Sequence, residues 1–461
     1  MSFKTTAGIT VGKLGNLAIS LIAKNRGTNW AGETAMRIDP ELIAHIKGID
    51  ADKVIFITGT DGKSTVTNLV AHILRYNGFS VVSNLEGANL TTGVATSLLK
   101  ASSLGGNVKA DYFVFETDER YLYQIREQLP CNNLIVTNIL KDQMQRNGDP
   151  DYIYRKIRRV IEKFGMNVFL NGDEPRSCSL ADYAPKTVFY GAEKHSQAFR
   201  KDDTFVTLPC PKCQCGIRFD YYNNDSLGSF HCDKCGYTNN NGNLKEGRRR
   251  QADYRSTNAD FAAKTFHING TEYTMPYDPP HMLYNYAAAT AACKEIAGLT
   301  EAQCAEALKS FKLLAGRIES VTYKGRHIKF MRFKQENPET FQNFINTIAA
   351  DKEDKVVIIG LDTVNDIDPF YMNTFYAFDC DYSQLIRSNV KRFYFVTDTV
   401  AYDAANCFMY GGVDPSRVDI IPTGDEEEIL DIIEDCGYTN IYLAVTLHKF
   451  EIIQEMVRKG K

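Results

Sequence analysis

Several things are scarce in this sequence, and each scarcity closes off a class of function. No segment approaches the roughly 18 consecutive apolar residues that span a bilayer, so no transmembrane helix is expected. The amino-terminal stretch has only a short apolar centre with basic flanks and no small-residue cleavage site after it, so it reads as an amphipathic helix and not as a signal peptide. Excess charge is small: 53 Lys and Arg face 57 Asp and Glu, a net charge of -4 with a sequence pI near 6.1. That balance argues against broad electrostatic binding to nucleic acid. The compact run Arg248-Arg249-Arg250 reads as a solvated linker. Internal repeats and low-complexity tracts are absent. A disulfide framework is also missing: of twelve cysteines, five cluster between 210 and 235 and seven are scattered singly, which suits reduced cytosolic thiols and one metal site.

What is present is ordinary globular material, 44% hydrophobic and 24% charged, in a chain of 461 residues that calls for two or three domains. Residues 1–50 read as a helical segment. From 54 the chain alternates strand and helix: strands at 54–58, 80–83, 111–116, 133–138 and 167–173, and helices at 63–77, 91–101 and 151–164. Such alternation implies right-handed crossovers and a parallel, doubly wound sheet. Residues 203–275, rich in Tyr, Phe, Asn, Gly and Cys, read as a small β-rich insertion, with the cysteine ribbon itself over 203–245. Helices follow at 281–298 and 301–311, and a second α/β pattern carries strands at 355–361, 392–398 and 440–446. The expected domains are 1–50, 51–315 and 316–461.

The stretch FITGTDGKST (56–65) is the strongest chemical signal. A strand that ends in glycine and leads into a helix presents unbonded backbone N–H groups to an anion. Gly59 and Gly62 let that backbone approach phosphate, with Thr60 between them, and Lys63 adds a point charge. Ser64 or Thr65 supplies a hydroxyl for Mg²⁺. The common longer loop would need glycine at 57, where this chain has Ile57. Glu116 closes the strand at 111–116 beside the loop, where a carboxylate can share Mg²⁺ with a nucleotide. For Asp118 and Glu119 a solvated turn competes evenly with a role in the site.

Cys210-x-x-Cys213 and Cys232-x-x-Cys235 are two hooks with 18 residues between them, the spacing of a structural zinc ribbon. Four thiolates close the coordination shell and leave no position for water, so such a site folds a loop and does not catalyse. Cys215 is a fifth thiol that competes with Cys213.

The short loop G-T-x-G-K-S resembles that of the Mur ligases, ATP-dependent enzymes that form amide bonds on peptidoglycan precursors through an acyl phosphate. TNILKDQMQRNGD (137–149) resembles a further motif of theirs, with Gln143 in place of histidine, and so do LNGDEP (170–175), YNYAAATAA with Asn285, and GRIE with Arg317. AKNRGTNWAGETAMRIDPELIAHI, NLEGANLTTG (84–93), FETDE (115–119) and the cysteine ribbon are similar to the MurT branch. The resemblance implies an α/β Mur ligase-like central ATPase domain with an inserted zinc ribbon, followed by a Rossmann-like C-terminal domain. It implies ATP and Mg²⁺ as well as structural Zn²⁺. Gly59, Thr60, Gly62, Lys63, Ser64, Thr65, Asn285 and Arg317 would hold nucleotide, and Ser64 with Glu116 would hold magnesium. It further implies amidation of the D-glutamate α-carboxylate of lipid II, a step of cell-wall biogenesis, in the cytoplasm or peripherally at the inner face of the membrane. The ammonia would come from a GatD-type glutaminase partner, since no cysteine here sits in a nucleophile turn.

The likeness thins after 320. FKQENPETF carries two extra residues before Asn337, Val400 stands where an arginine is expected, and Asp362, Asp366 and Asp368 all suit the acceptor, with Asp368 the nearest match by spacing. Lys156, near the position of a carbamylated lysine in many Mur ligases, reads here as a plain surface lysine. Two other readings stay open: a stand-alone Mur-type ligase that adds an amino acid, separated by glutamine dependence, and a scaffold without turnover, separated by ATP hydrolysis.

Overall fold

A computed structural model describes residues 3–22, 29–84, 89–141, 149–200, 208–224, 226–239, 252–277, 279–312, 318–331, 338–360, 380, 382–386, 388–396, 400–423 and 425–459. The chain divides into two compact units, Met1–Leu140 with Asp149–Leu313, and Lys141–Gly148 with Leu314–Lys461.

The first unit is built on a nine-stranded sheet. Its strands are β1 (Val54–Thr58), β2 (Val81–Ser83), β3 (Tyr112–Glu116), β4 (Asn133–Val136), β5 (Asn167–Asn171), β6 (Thr187–Ala192), β9 (Tyr254–Asp260), β10 (Thr265–Ile268) and β11 (Thr271–Thr274). They lie in the order β11-β10-β9-β6-β5-β4-β1-β3-β2. All pairs from β2 to β9 are parallel, and only the β9-β10-β11 edge is antiparallel. Parallel strands are buried on both faces, and β1 is buried at every position. The helices Lys63–Tyr76 and Met282–Ala297 cover one face, where a run of small alanines admits close packing. Thr91–Ala101, Leu122–Gln128 and Pro150–Phe164 cover the other. The helix Phe3–Ile22 rests on Trp30–Ile38 through glycines, and a Cβ at Gly12 would lie 3.1 Å from the Ala31 carbonyl. Among the described residues, no helix is long and apolar enough to cross a membrane.

The strands foreseen at 54–58, 111–116, 133–138 and 167–173 are present, the last two ending two residues early at Val136 and Asn171. The stretch 203–275 is not one insertion. Among the described residues of this stretch, β7 (Arg218–Asn224) and β8 (Leu227–His231) form a separate hairpin sheet, whereas β9, β10 and β11 extend the main sheet. The cause is a non-local pairing, Tyr190↔Tyr254 between β6 and β9, which local periodicity cannot reveal.

The second unit is a six-stranded mixed sheet in the order β12-β13-β17-β14-β15-β16. Its strands are β12 (Ile318–Tyr323), β13 (Arg326–Met331), β14 (Lys355–Gly360), β15 (Val390–Val396), β16 (Val418–Ile421) and β17 (Asn440–Val445). Only β12 runs antiparallel to its neighbour. Asp351 ties β13 to β17, accepting from the Tyr442 hydroxyl at 2.7 Å and from Lys329 at 3.2 Å. Burial alone would raise this carboxyl, but Tyr442, the Glu353 amide, Lys329 and Asn440 outweigh it and hold it well below the usual carboxylate range. A depressed folded value contributes stability that is present above the unfolded value, near pH 4, and is lost as pH falls toward the folded one. The urea midpoint of this unit should therefore drop on acidification below about pH 4. Asp351→Asn should flatten that dependence, and an unchanged pH profile in the variant would refute the assignment.

Candidate functional site

The order β3-β1-β4 makes the carboxyl end of β1 a topological switch point, because the chain leaves β1 toward β2 and β3 and returns on the other side as β4. The loop 59–62 sits there. Gly59 has φ +127°, and a Cβ on it would lie 2.3 Å from Thr137 Oγ1 and 2.7 Å from the Asn138 carbonyl, so only glycine fits. Asn138 holds the loop in place: its carbonyl accepts from the Thr60 amide at 2.9 Å and its Oδ1 from the Asp61 amide at 2.8 Å. The Thr60 hydroxyl accepts from the Leu140 amide at 2.9 Å. Sequence reading stretched β4 over Thr137 and Asn138. The strand stops short because these residues turn to grip the loop.

Gly62 is left-handed at φ +83° and opens the helix Lys63–Tyr76 with no side-chain cap on its first turn, the end of a helix that suits an anion. A Cβ on Gly62 would lie 2.7 Å from Oδ1 of the buried Asn285. The structure thus brings Asn285 against the phosphate loop. Gly62→Ala meets both the φ penalty and this clash, at a cost of about 1–2 kcal/mol. Nucleotide binding measured by calorimetry should weaken about tenfold, and an unaltered affinity would contradict the placement.

Lys63 is buried. Its Nζ donates to the Gly59 carbonyl, to the Thr60 carbonyl at 3.0 Å and to Glu119 Oε2 at 3.4 Å. Thr65 is buried and Ser64 is exposed. Glu116 ends β3, half-buried, and the asparagines at the two ends of NLEGAN fix it. Asn84 Oδ1 accepts from the Glu116 amide at 2.9 Å, and Asn89 Nδ2 donates to Glu116 Oε1 at 3.3 Å. Asp118 and Glu119 are buried, so the solvated-turn reading fails for both. Asp118 takes a two-point fork from Arg120, at 2.9 and 2.7 Å. Burial would raise its carboxyl, yet the Arg120 side chain and amide, with the charges of Arg120 and Lys63, hold it below the ordinary value. Glu119, evenly balanced in the sequence between a solvated turn and a role in the site, is the partner of Lys63, a pairing the sequence does not show. Its only signal was a place in FETDE. The donors at the loop mouth, the Ser64 hydroxyl and the Glu116 carboxylate, are hard oxygens of the kind that suit Mg²⁺.

The turn after β5 supports the loop from behind. Glu174 is fully buried and accepts from the Ile139 amide at 3.3 Å and the Ser177 amide at 2.6 Å. Asp173 accepts from the Ala192 amide and from Asn239 Nδ2, both at 2.9 Å, and so joins the sheet to the ribbon. In the ribbon the sulfurs of Cys210, Cys213, Cys232 and Cys235 all lie within 4.8 Å of one another. Cys210 Sγ is 3.7 Å from Cys235 Sγ, and Cys213 Sγ is 3.6 Å from Cys232 Sγ. A tetrahedron of 2.3 Å Zn–S bonds has edges of about 3.8 Å, so the set fits that cation. The Cys215 amide holds the Cys213 thiol down to about 7, while burial pushes the Cys210 and Cys235 thiols up, so the fit rests on the sulfur geometry. Cys215 itself stands outside the cluster.

Arg317, Asp362, Asp366 and Asp368 lie outside the described residues, as do Gln143 and Arg248–Arg250. Lys156 is half-exposed, with Nζ 4.9 Å from the Tyr152 ring on its own helix.

Comparison with known proteins agrees with this arrangement. The family model described as Mur ligase middle domain matches residues 57–212, and that described as MurT ligase C-terminal matches residues 335–448. The chain is 27% identical to the MurT subunit of lipid II isoglutaminyl synthase (glutamine-hydrolyzing) of Staphylococcus aureus strain COL, over 83% of each chain. It is 30% identical to the subunit of the same name from Streptococcus pneumoniae, over 63% of this chain and 62% of that one. The fold is similar to a pseudomurein peptide ligase type C from Methanothermus fervidus, with TM-score 0.67 and 17% identity, covering 92% of this chain and 81% of that one. The α/β Mur ligase-like fold expected from the sequence is therefore the fold observed.

Proposed function

From a chain that belongs to the Mur ligase family, in its MurT branch, we propose an ATP-dependent carboxylate–amine ligase that acts as the synthetase subunit of a glutamine-hydrolysing enzyme. The observation that carries the reading is the buried Lys63, paired with Glu119, in a loop whose two glycines leave no room for a Cβ, at the switch point beside which Glu116 ends β3. Gly59, Thr60, Gly62, Lys63 and Thr65 would cradle the phosphates, and Asn285 and Arg317 would contact the rest of the nucleotide. Ser64 and Glu116 would hold Mg²⁺, which supplies charge neutralisation at the phosphates when bound. A carboxylate oxygen of the substrate attacks the γ-phosphorus and ADP leaves. A nitrogen nucleophile then attacks the acyl carbon, inorganic phosphate leaves, and the nitrogen gives up a proton. The protein contributes position and charge, not a covalent group.

The substrate proposed is the D-glutamate α-carboxylate of lipid II, with ammonia delivered by a GatD-type glutaminase and Asp368 near the acceptor. The protein would then work in the cytoplasm, at the membrane face that presents lipid II. Its domains would be a helical segment 1–50, an ATP-binding domain 51–315 and a C-terminal domain 316–461. The second reading, a stand-alone ligase that adds an amino acid, is favoured by Val400 and the two-residue excess before Asn337. Co-purification from the native cytoplasm separates the two. A stoichiometric glutaminase together with glutamine-dependent amidation supports the first. Turnover with a free amino acid and no partner would establish the second.

A further inference from the structure

The helix Pro150–Phe164 carries a charge pattern that the ligase chemistry does not use. Its inward face, Ile153, Ile157, Val160 and Ile161, is buried under the sheet. At 3.6 residues per turn, Tyr152, Arg155, Lys156, Arg159 and Lys163 fall within about 100° of arc on the opposite side. The four cations span about 12 Å along the axis, with no acid inside the stripe. The helix's own acids lie on one flank and are engaged: Glu162 with Arg158 at 3.2 Å, and Asp151 with Arg176 at 2.8 Å. Lys163 reaches Glu127 at 3.4 Å. Arg155, Lys156 and Arg159 have no carboxylate partner among the described residues. Two of them lie over tyrosines instead, Lys156 Nζ 4.9 Å from the Tyr152 ring and Arg159 Cζ 4.8 Å from the Tyr123 ring.

A solvated helix normally intersperses both signs, and this chain is acidic overall. The segregated stripe is a local exception, hidden in YRKIRRVIEK until the segment is wound into a helix. We propose that this face docks on an anionic phospholipid bilayer. A basic cluster on an amphipathic helix is attracted to such a surface within a Debye length, and the exposed Tyr152 ring suits the headgroup level. Nucleic acid fits less well, since Arg159 and Lys163 already cover the Tyr123 ring, which is then not open to stack on a base. The helix joins the parallel strands β4 and β5, so it begins at the sheet edge that bears the phosphate loop, and docking would bring that edge to the headgroups.

The test is sedimentation of the full-length chain with vesicles of phosphatidylcholine, alone or mixed with phosphatidylglycerol, at low and at physiological salt. The wild type should bind only the phosphatidylglycerol vesicles and release as salt rises. The variant Arg155→Gln/Lys156→Gln/Arg159→Gln should bind them about 10²-fold more weakly, while its ATP turnover without vesicles stays at the wild-type level and shows it folded. Equal binding by wild type and variant, or no preference for the anionic vesicles, overturns the proposal. Tighter binding of an oligonucleotide than of vesicles overturns it too, and assigns the face to nucleic acid. None of these outcomes bears on the ligase reading.

Discussion

Lys63→Ala is expected to lower ATP turnover by about 10²–10³-fold, the loss typical of removing one preorganised charge at a developing anion. The lysine is poised for the task. In the structure its Nζ is folded onto the loop's own carbonyls and held by Glu119, so a phosphate entering the loop exchanges one anion for another without moving a solvated side chain inward. The substitution also leaves the buried Glu119 without its cation, and loss of one partner of a buried pair costs about 3–5 kcal/mol. A destabilised variant could mimic a catalytic defect. Lys63→Ala/Glu119→Gln removes both charges, and should recover the melting temperature but not the turnover. If the double variant regained turnover, Lys63 would have no direct part in the chemistry.

Removal of the ribbon's metal should have the second large effect. Structural zinc contributes about 10–16 kcal/mol of apparent binding free energy in small peptides, and that energy folds the site. Here Cys210, Phe230, Cys232 and Tyr237 sit in the same core cluster as Leu180 and Phe189, so the ribbon packs into the first unit and is not a free appendage. Tyr237 donates to the Pro175 carbonyl at 2.7 Å, and Asn239 satisfies Asp173. Strong chelation, or Cys232→Ser, should release one zinc per chain and lower the melting temperature by on the order of 10 °C. Nucleotide affinity should fall as well, since the Asp173–Pro175 turn backs Ile139 and, through Leu140, Thr60. A purified protein free of zinc that melts identically with and without chelator would contradict the assignment.

Much of this was legible in the chain, for definable reasons. β1 and the helix Lys63–Tyr76 announce themselves by an apolar run, two glycines and a lysine, all within twenty residues. The four ribbon cysteines announce themselves by spacing. Pairings distant in sequence stayed hidden. That β9 joins β6, or that Asn84 and Asn89 clamp Glu116, follows from topology and not from periodicity. The β10–β11 hairpin did carry a local signal, Asn269-Gly270, both at positive φ as a tight two-residue turn requires. Lys324-Gly325 between β12 and β13 is a second such turn. Glu119 stayed ambiguous for a different reason: an acid in a loop reads as solvated as readily as functional until the fold buries it.

In the proposed reaction a carboxylate is activated by phosphoryl transfer from ATP. This activation is tested most directly by amidation of lipid II whose glutamate carboxylate carries ¹⁸O, in the presence of ATP, glutamine and the co-purified glutaminase. Amide product should form together with ADP, and the inorganic phosphate should carry the label from the carboxylate. Unlabelled phosphate beside amide product, or AMP in place of ADP, would contradict this activation.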